Sequence, residues 1–65
     1  MQVVLNGETR SLTDVATVSD LVRQLELQGR IAVEINREIV PRSQFGSYPV
    51  REGDVIELVR AIGGG

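Results

Sequence analysis

The chain has 65 residues, a net charge of −2 and 42% hydrophobic residues, with neither Cys nor His. That length supports one small domain, since such a chain buries only roughly 60% of its unfolded surface and has little apolar area to spare for a deep cleft. The missing Cys excludes disulfides and thiolate chemistry, and the missing His removes the commonest general base and metal ligand. Nucleic-acid binding is disfavoured too, because no basic block or interleaved aromatics occur and Phe45 and Tyr48 are the only aromatic residues.

Met1 to Leu5 is an apolar, β-rich run that ends at Asn6-Gly7. Asn-Gly supplies the two positive-φ positions of a type I′ turn, so Glu8 to Leu12 is predicted to return as the second strand of a hairpin. Thr17-Val18-Ser19-Asp20 then opens the one convincing helix, with Thr17 as N-cap and Asp20 reaching back as a capping-box variant. Val18, Leu21, Val22 and Leu25 follow at i, i+3, i+4 and i+7, which makes one apolar stripe. Gly29 is the natural left-handed cap, so the helix is expected to run to Gln28.

Ile31, Val33 and Ile35 alternate with Ala32 and Glu34, the pattern of a half-buried third strand. Asn36-Arg37 turns into a short Glu38-Ile39-Val40 strand that Pro41 ends. Residues 42–49 lack clean periodicity and read as a connecting loop with room for one short helical turn, Phe45 plugging the open end of the core. Arg51 to Asp54 is a turn, and Val55 to Ile62 is the last strand. The order β-β-α-β-β-β, with a single helix, indicates an α+β domain with the helix packed across one sheet face. No repeat or second domain is visible: residues 1–62 form the domain and residues 63–65 a flexible glycine tail.

No apolar run approaches the ~18 residues of a membrane span, and no signal-peptide pattern opens the chain, so no membrane contact and a cytoplasmic location are expected. All seven basic residues are arginine. Codon bias explains this, and so does the advantage of lacking primary amines in a protein that carries an activated acyl group; the two readings are compatible.

The body of the sequence carries no catalytic constellation. Ser11, Ser19, Ser43 and Ser47 have no His or Lys to serve as base. Glu52 and Asp54 flank Gly53 in a turn, where acidic residues commonly make local backbone hydrogen bonds. The tail is different. Gly63-Gly64-Gly65 follows directly on an apolar strand end, and glycine is costly to order and packs nothing, so stability does not explain three of them. A frayed end or a linker is one reading. The other is that the last residues thread a narrow channel and present the Gly65 carboxylate, with no Cβ to hinder attack, to a partner's active site.

The opening hairpin, the Thr17-Val18 helix start, the stretch from Ala32 to Arg42 with its Asn-x-x-Ile-Val-Pro-Arg run, Gly53-Asp54-Val55-Ile56-Glu57 and the final Gly63-Gly64-Gly65 together resemble the ubiquitin-like β-grasp proteins. Within that group the chain is most similar to the sulfur carriers of thiamin biosynthesis. The resemblance covers essentially the whole chain. It implies a mixed sheet of four to five strands in which the first and last strands run parallel at the centre. It also implies a carrier that catalyses nothing and binds no cofactor itself. A ThiF-like adenylyltransferase would use ATP and Mg²⁺ to form an acyl-adenylate on Gly65, a sulfur donor system would convert it to a thiocarboxylate, and a ThiG-like thiazole synthase would take the sulfur. The small subunit of molybdopterin synthase and ubiquitin-type protein modifiers are the alternatives.

Strand parity in such a sheet places Met1, Val3, Leu5, Val33, Ile35, Ile56 and Leu58 on the helix side, with Leu21, Val22 and Leu25 above them. The opposite face would carry Val4 and Val59, with Ala32 and Ala61 nearby and Glu34 and Glu57 at the edge. Val4, Val59, Ala61 and Ile62 are the candidate docking residues.

Overall fold

The computed structural model describes residues 1–60; Ala61, Ile62 and the glycine tail, Gly63 to Gly65, lie outside the described residues. The chain forms β1 (Gln2–Leu5), β2 (Glu8–Ser11), helix α1 (Val18–Gln24), β3 (Ile31–Ile35), β4 (Glu38–Val40), a 3₁₀ turn (Arg42–Gln44) and β5 (Val55–Arg60). The five strands make one mixed sheet in the order β2-β1-β5-β3-β4. The first and last strands lie parallel, with Val4 opposite Val55 and Leu5 opposite Ile56, and every other pairing is antiparallel.

Local chemistry explains the turns. Asn6 and Gly7 have φ of 49° and 83°, the two left-handed positions expected of a type I′ hairpin turn. Asn6 also lengthens the parallel ladder. Its amide donates to the Ile56 carbonyl (2.9 Å) and its side-chain Oδ1 accepts from the Leu58 amide (2.8 Å), one rung beyond the point where β1 turns away.

The helix opens as the sequence predicts. Thr17 Oγ1 accepts from the Asp20 amide (3.4 Å), and Asp20 Oδ2 accepts from the amides of Ala16 (2.9 Å) and Thr17 (3.0 Å). These two backbone donors, Ala16 first, hold the Asp20 carboxyl below its ordinary 3.8.

The helix closes earlier than expected, at Gln24 rather than Gln28, with Leu25 as C-cap. The Glu26 amide donates to the Arg23 carbonyl and the Leu27 amide to the Val22 carbonyl, which is the Schellman pattern. Glu26 holds the left-handed position at φ 55°, a conformation that normally falls to glycine. Gly29 is also left-handed, at φ 85°, but it belongs to the loop that follows. Glu26→Gly is therefore expected to raise stability by about 0.5–1 kcal/mol, read as a higher urea midpoint; a lower midpoint would mean that the helix does not end there.

Val3, Leu5, Val18, Leu21, Val33, Ile35 and Ile56 are buried between sheet and helix, and Leu12, Val15, Val40 and Val50 close the sides of the core. Val22, Leu25, Leu58 and Phe45 are half-buried against it. Met1 departs from expectation and is exposed. Parity fixes the face a side chain leaves from, but at the open start of β1 nothing covers it; its ammonium group donates instead to the Leu12 carbonyl (2.8 Å). Among the described residues no helix is long and apolar enough to cross a membrane.

Candidate docking face and reactive tail

The helix covers one face of the sheet and leaves the other bare. On β5, Ile56 and Leu58 point inward, so Val55, Glu57 and Val59 stand on the open face. The register then builds rows across it. Val59 lies opposite Ala32, Glu57 opposite Glu34, and Glu34 opposite Ile39 on β4, while Val55 lies opposite Val4 on β1. Val59 is 62% exposed, Ile39 69% and Val55 48%, which makes them three of the four exposed large hydrophobics among the described residues. Val59, Ala32, Ile39, Glu34 and Glu57 line a shallow groove of 180 Å³.

The proposed docking residues divide accordingly. Val59 is fully presented, Val4 is half-buried, and Ala61 and Ile62 lie outside the described residues, as do Gly63, Gly64 and Gly65. Ile39 and Val55 were not anticipated as members of this face; the alternation of their own strands, once paired in register, is the signal that identifies them. Glu34 and Glu57 also stand elsewhere than expected. They occupy the middle of the face, because β5 is the central strand and β3 its neighbour.

The two carboxyl groups perturb each other. A shared hydrogen bond with Glu57 raises the Glu34 pKa above its ordinary 4.5, aided by desolvation and by Glu57's charge and opposed by Arg37. In the window above 4.5 the folded state therefore holds more proton than the unfolded one. The stability this contributes is complete below 4.5 and is lost as pH rises through the raised value. Glu34→Gln is expected to flatten the fall in stability above pH 4.5, measured as urea midpoints against pH; an unchanged slope would mean the carboxylates do not interact.

Two further acidic groups, Glu52 and Asp54, are occupied by structure. Both oxygens of Glu52 accept from the Gln2 amide, at 3.1 and 3.2 Å. Asp54 accepts from the Arg51 amide (2.8 Å) and from Asn36 Nδ2 (3.0 Å). This accounts for the Arg51–Asp54 turn and ties it to the β3–β4 turn. Among the described residues no three His, Cys, Asp or Glu side chains gather as a metal site would.

The sequence profile of the ThiS family matches residues 3–65. The chain belongs to the ThiS family. It is 38% identical to the sulfur carrier protein ThiS of Escherichia coli, each chain being covered in full. It is also 44% identical to a thiazole synthase of Paramagnetospirillum magneticum, matching in full but spanning only 20% of that longer protein. Among solved structures, ThiS from Geobacter metallireducens superposes with a TM-score of 0.84 at 28% identity, again over the whole of both chains. The mixed five-stranded sheet with one helix is thus a ubiquitin-like β-grasp, and the family match extends through the three terminal glycines.

Proposed function

We propose that this chain is the sulfur carrier for the thiazole moiety of thiamin and that it works through the carboxylate of Gly65. The observation that carries the reading is the ThiS-family match, which runs to Gly65. A partner adenylyltransferase with ATP and Mg²⁺ activates that carboxylate. The oxygen attacks the α-phosphate, pyrophosphate leaves, and an acyl-adenylate results. Sulfur from the donor system then displaces AMP to give the thiocarboxylate, and thiazole synthase takes the sulfur.

The chain's own contribution is to present a backbone carboxylate on a side-chain-free tail. Gly63 and Gly64 thread the partner's channel, and the β-grasp domain supplies the surface that is recognised. The catalytic groups belong to the partners.

Two thiazole synthases, from Paramagnetospirillum magneticum and Magnetococcus marinus, contain a segment similar to this whole chain within one fifth of their length. A carrier-like segment in the same polypeptide as the synthase raises their effective concentration, which supports thiazole synthase as the acceptor. The thiamin names of the relatives favour this pathway over molybdopterin synthase. The test is the intact mass of the chain after incubation with Mg-ATP, a ThiF-type enzyme and a sulfide source. Replacement of one oxygen by sulfur, localised to Gly65, is the expected result, and an unchanged mass overturns the reading.

A further inference from the structure

Glu34 and Glu57 face each other directly across two central strands, a like-charge pairing that destabilises a sheet. Neither belongs to an ion pair among the described residues, where the one salt bridge joins Arg23 to Asp20. Arg37 is close enough to act on Glu34 but is not paired with it. Apolar side chains flank the pair on most sides, with Asn6 bordering the same groove. Val59 and Ala32 form the next row toward the end of β5, Ile39 lies beside Glu34, and Val55 and Val4 form the row at the other end. Folding alone would be served better by any neutral β-former at either position.

We propose that the Glu34–Glu57 pair is the receptor for an arginine of the activating enzyme, which docks on this face and encloses the ion cluster in the apolar ring of Val55, Val59, Ile39 and Ala32. The inference rests on the carrier reading above and adds the chemistry of recognition to it. A guanidinium has the planar fork of donors that can bridge two carboxylates, which a lysine ammonium lacks. Closure of the apolar ring removes water and strengthens the attraction. Other occupants fit less well. A second copy docked through the same patch about a two-fold axis would bring carboxylates against carboxylates, and an anionic membrane would be repelled. β5, which carries Glu57 and Val59, is also the strand that leads to Gly65, so a partner gripping this face is positioned to receive the tail.

The experiment compares binding of the wild-type chain and the Glu34→Gln, Glu57→Gln and double variants to a ThiF-type adenylyltransferase by calorimetry, at low and high salt. Each single variant is expected to bind about ten- to a hundred-fold more weakly, as for loss of a charged hydrogen bond. The double variant should lose most of the salt dependence. Thermal midpoints of the free variants should equal or exceed that of the wild type, since the repulsion has been removed; a merely structural role would move stability and binding down together. Glu57→Arg should raise the midpoint by pairing with Glu34 internally and should abolish binding. Variants that bind as tightly as the wild type, while Val59→Asp does not, would overturn the arginine receptor and leave purely apolar docking. Self-association of the free chain that Val59→Asp abolishes would overturn it in favour of a second copy. A wild-type chain that is thiocarboxylated but binds independently of salt overturns this inference alone, whereas one that neither binds nor is modified overturns the carrier reading with it.

Discussion

Deleting Gly65, or adding one residue after it, is expected to abolish thiocarboxylation while leaving the stability of the domain unchanged. The two halves of this result have separate causes. Activation requires the terminal carboxylate oxygen to meet the aligned α-phosphate, and reacting atoms must approach within ~3–3.5 Å. One residue of extended chain is ~3.3–3.6 Å long, so either change displaces the nucleophile by a full contact distance. A misplacement of ~1 Å already costs on the order of 100-fold, and this one is several times larger. Stability is indifferent, because glycine has no side chain to pack and the last fully buried residue among those described is Ile56. Intact mass after incubation with ATP, the partner and sulfide reads the first half, and the urea midpoint reads the second. Gly64 replaced by a bulky residue should likewise impair activation more than folding. A Gly65 deletion that is still thiocarboxylated and still supports thiazole formation would sink the proposal.

The scaffold was legible in the sequence wherever one local interaction decides a conformation. Asn6-Gly7 can hardly do other than turn, and Thr17 with Asp20 fixes the helix start to the residue. Strand parity then sorted β1, β3 and β5 correctly, because each carries aliphatic side chains two residues apart on its inner face: Val3 and Leu5, Val33 and Ile35, Ile56 and Leu58. The helix ends a turn before the residue that the sequence favours, for a physical reason. Gly29 is the residue that costs least in the left-handed conformation, but Leu27 and Val22 close the Schellman hydrogen bond at 3.2 Å and leave that conformation to Glu26. The sides of the core were missed as well. Leu12, Val15 and Val50 sit in irregular segments without a period, and only the three-dimensional path brings them over the sheet. The make-up of the open sheet face was half legible. Val4 and Val59 follow from parity, but the central place of Glu34 and Glu57 depends on which strand lies in the middle of the sheet, and a linear pattern does not carry strand order.

Leu21→Ala is expected to cost ~2–5 kcal/mol, and Leu25→Ala less than ~2 kcal/mol, although the sequence stripe treats the two leucines alike. Leu21 is in the middle of α1 and completely buried, among the largest fully enclosed side chains of the core. Its truncation removes apolar transfer energy and leaves a cavity against Val3, Val33 and Ile56, fully buried members of the same core, which have little freedom to collapse into it. Leu25 is the C-cap and is half-buried, so truncation there exposes its site to water and opens no sealed void. A domain of this size has roughly 3–10 kcal/mol of stability in total, so the Leu21 variant approaches the unfolding threshold at ambient temperature while the Leu25 variant stays folded. Each kcal/mol corresponds to about 4–8 °C in a small domain, so thermal and urea midpoints separate the two variants clearly. Equal losses, or a larger loss at Leu25, would place the helix a turn further along the chain, and with it the closing position now assigned to Glu26.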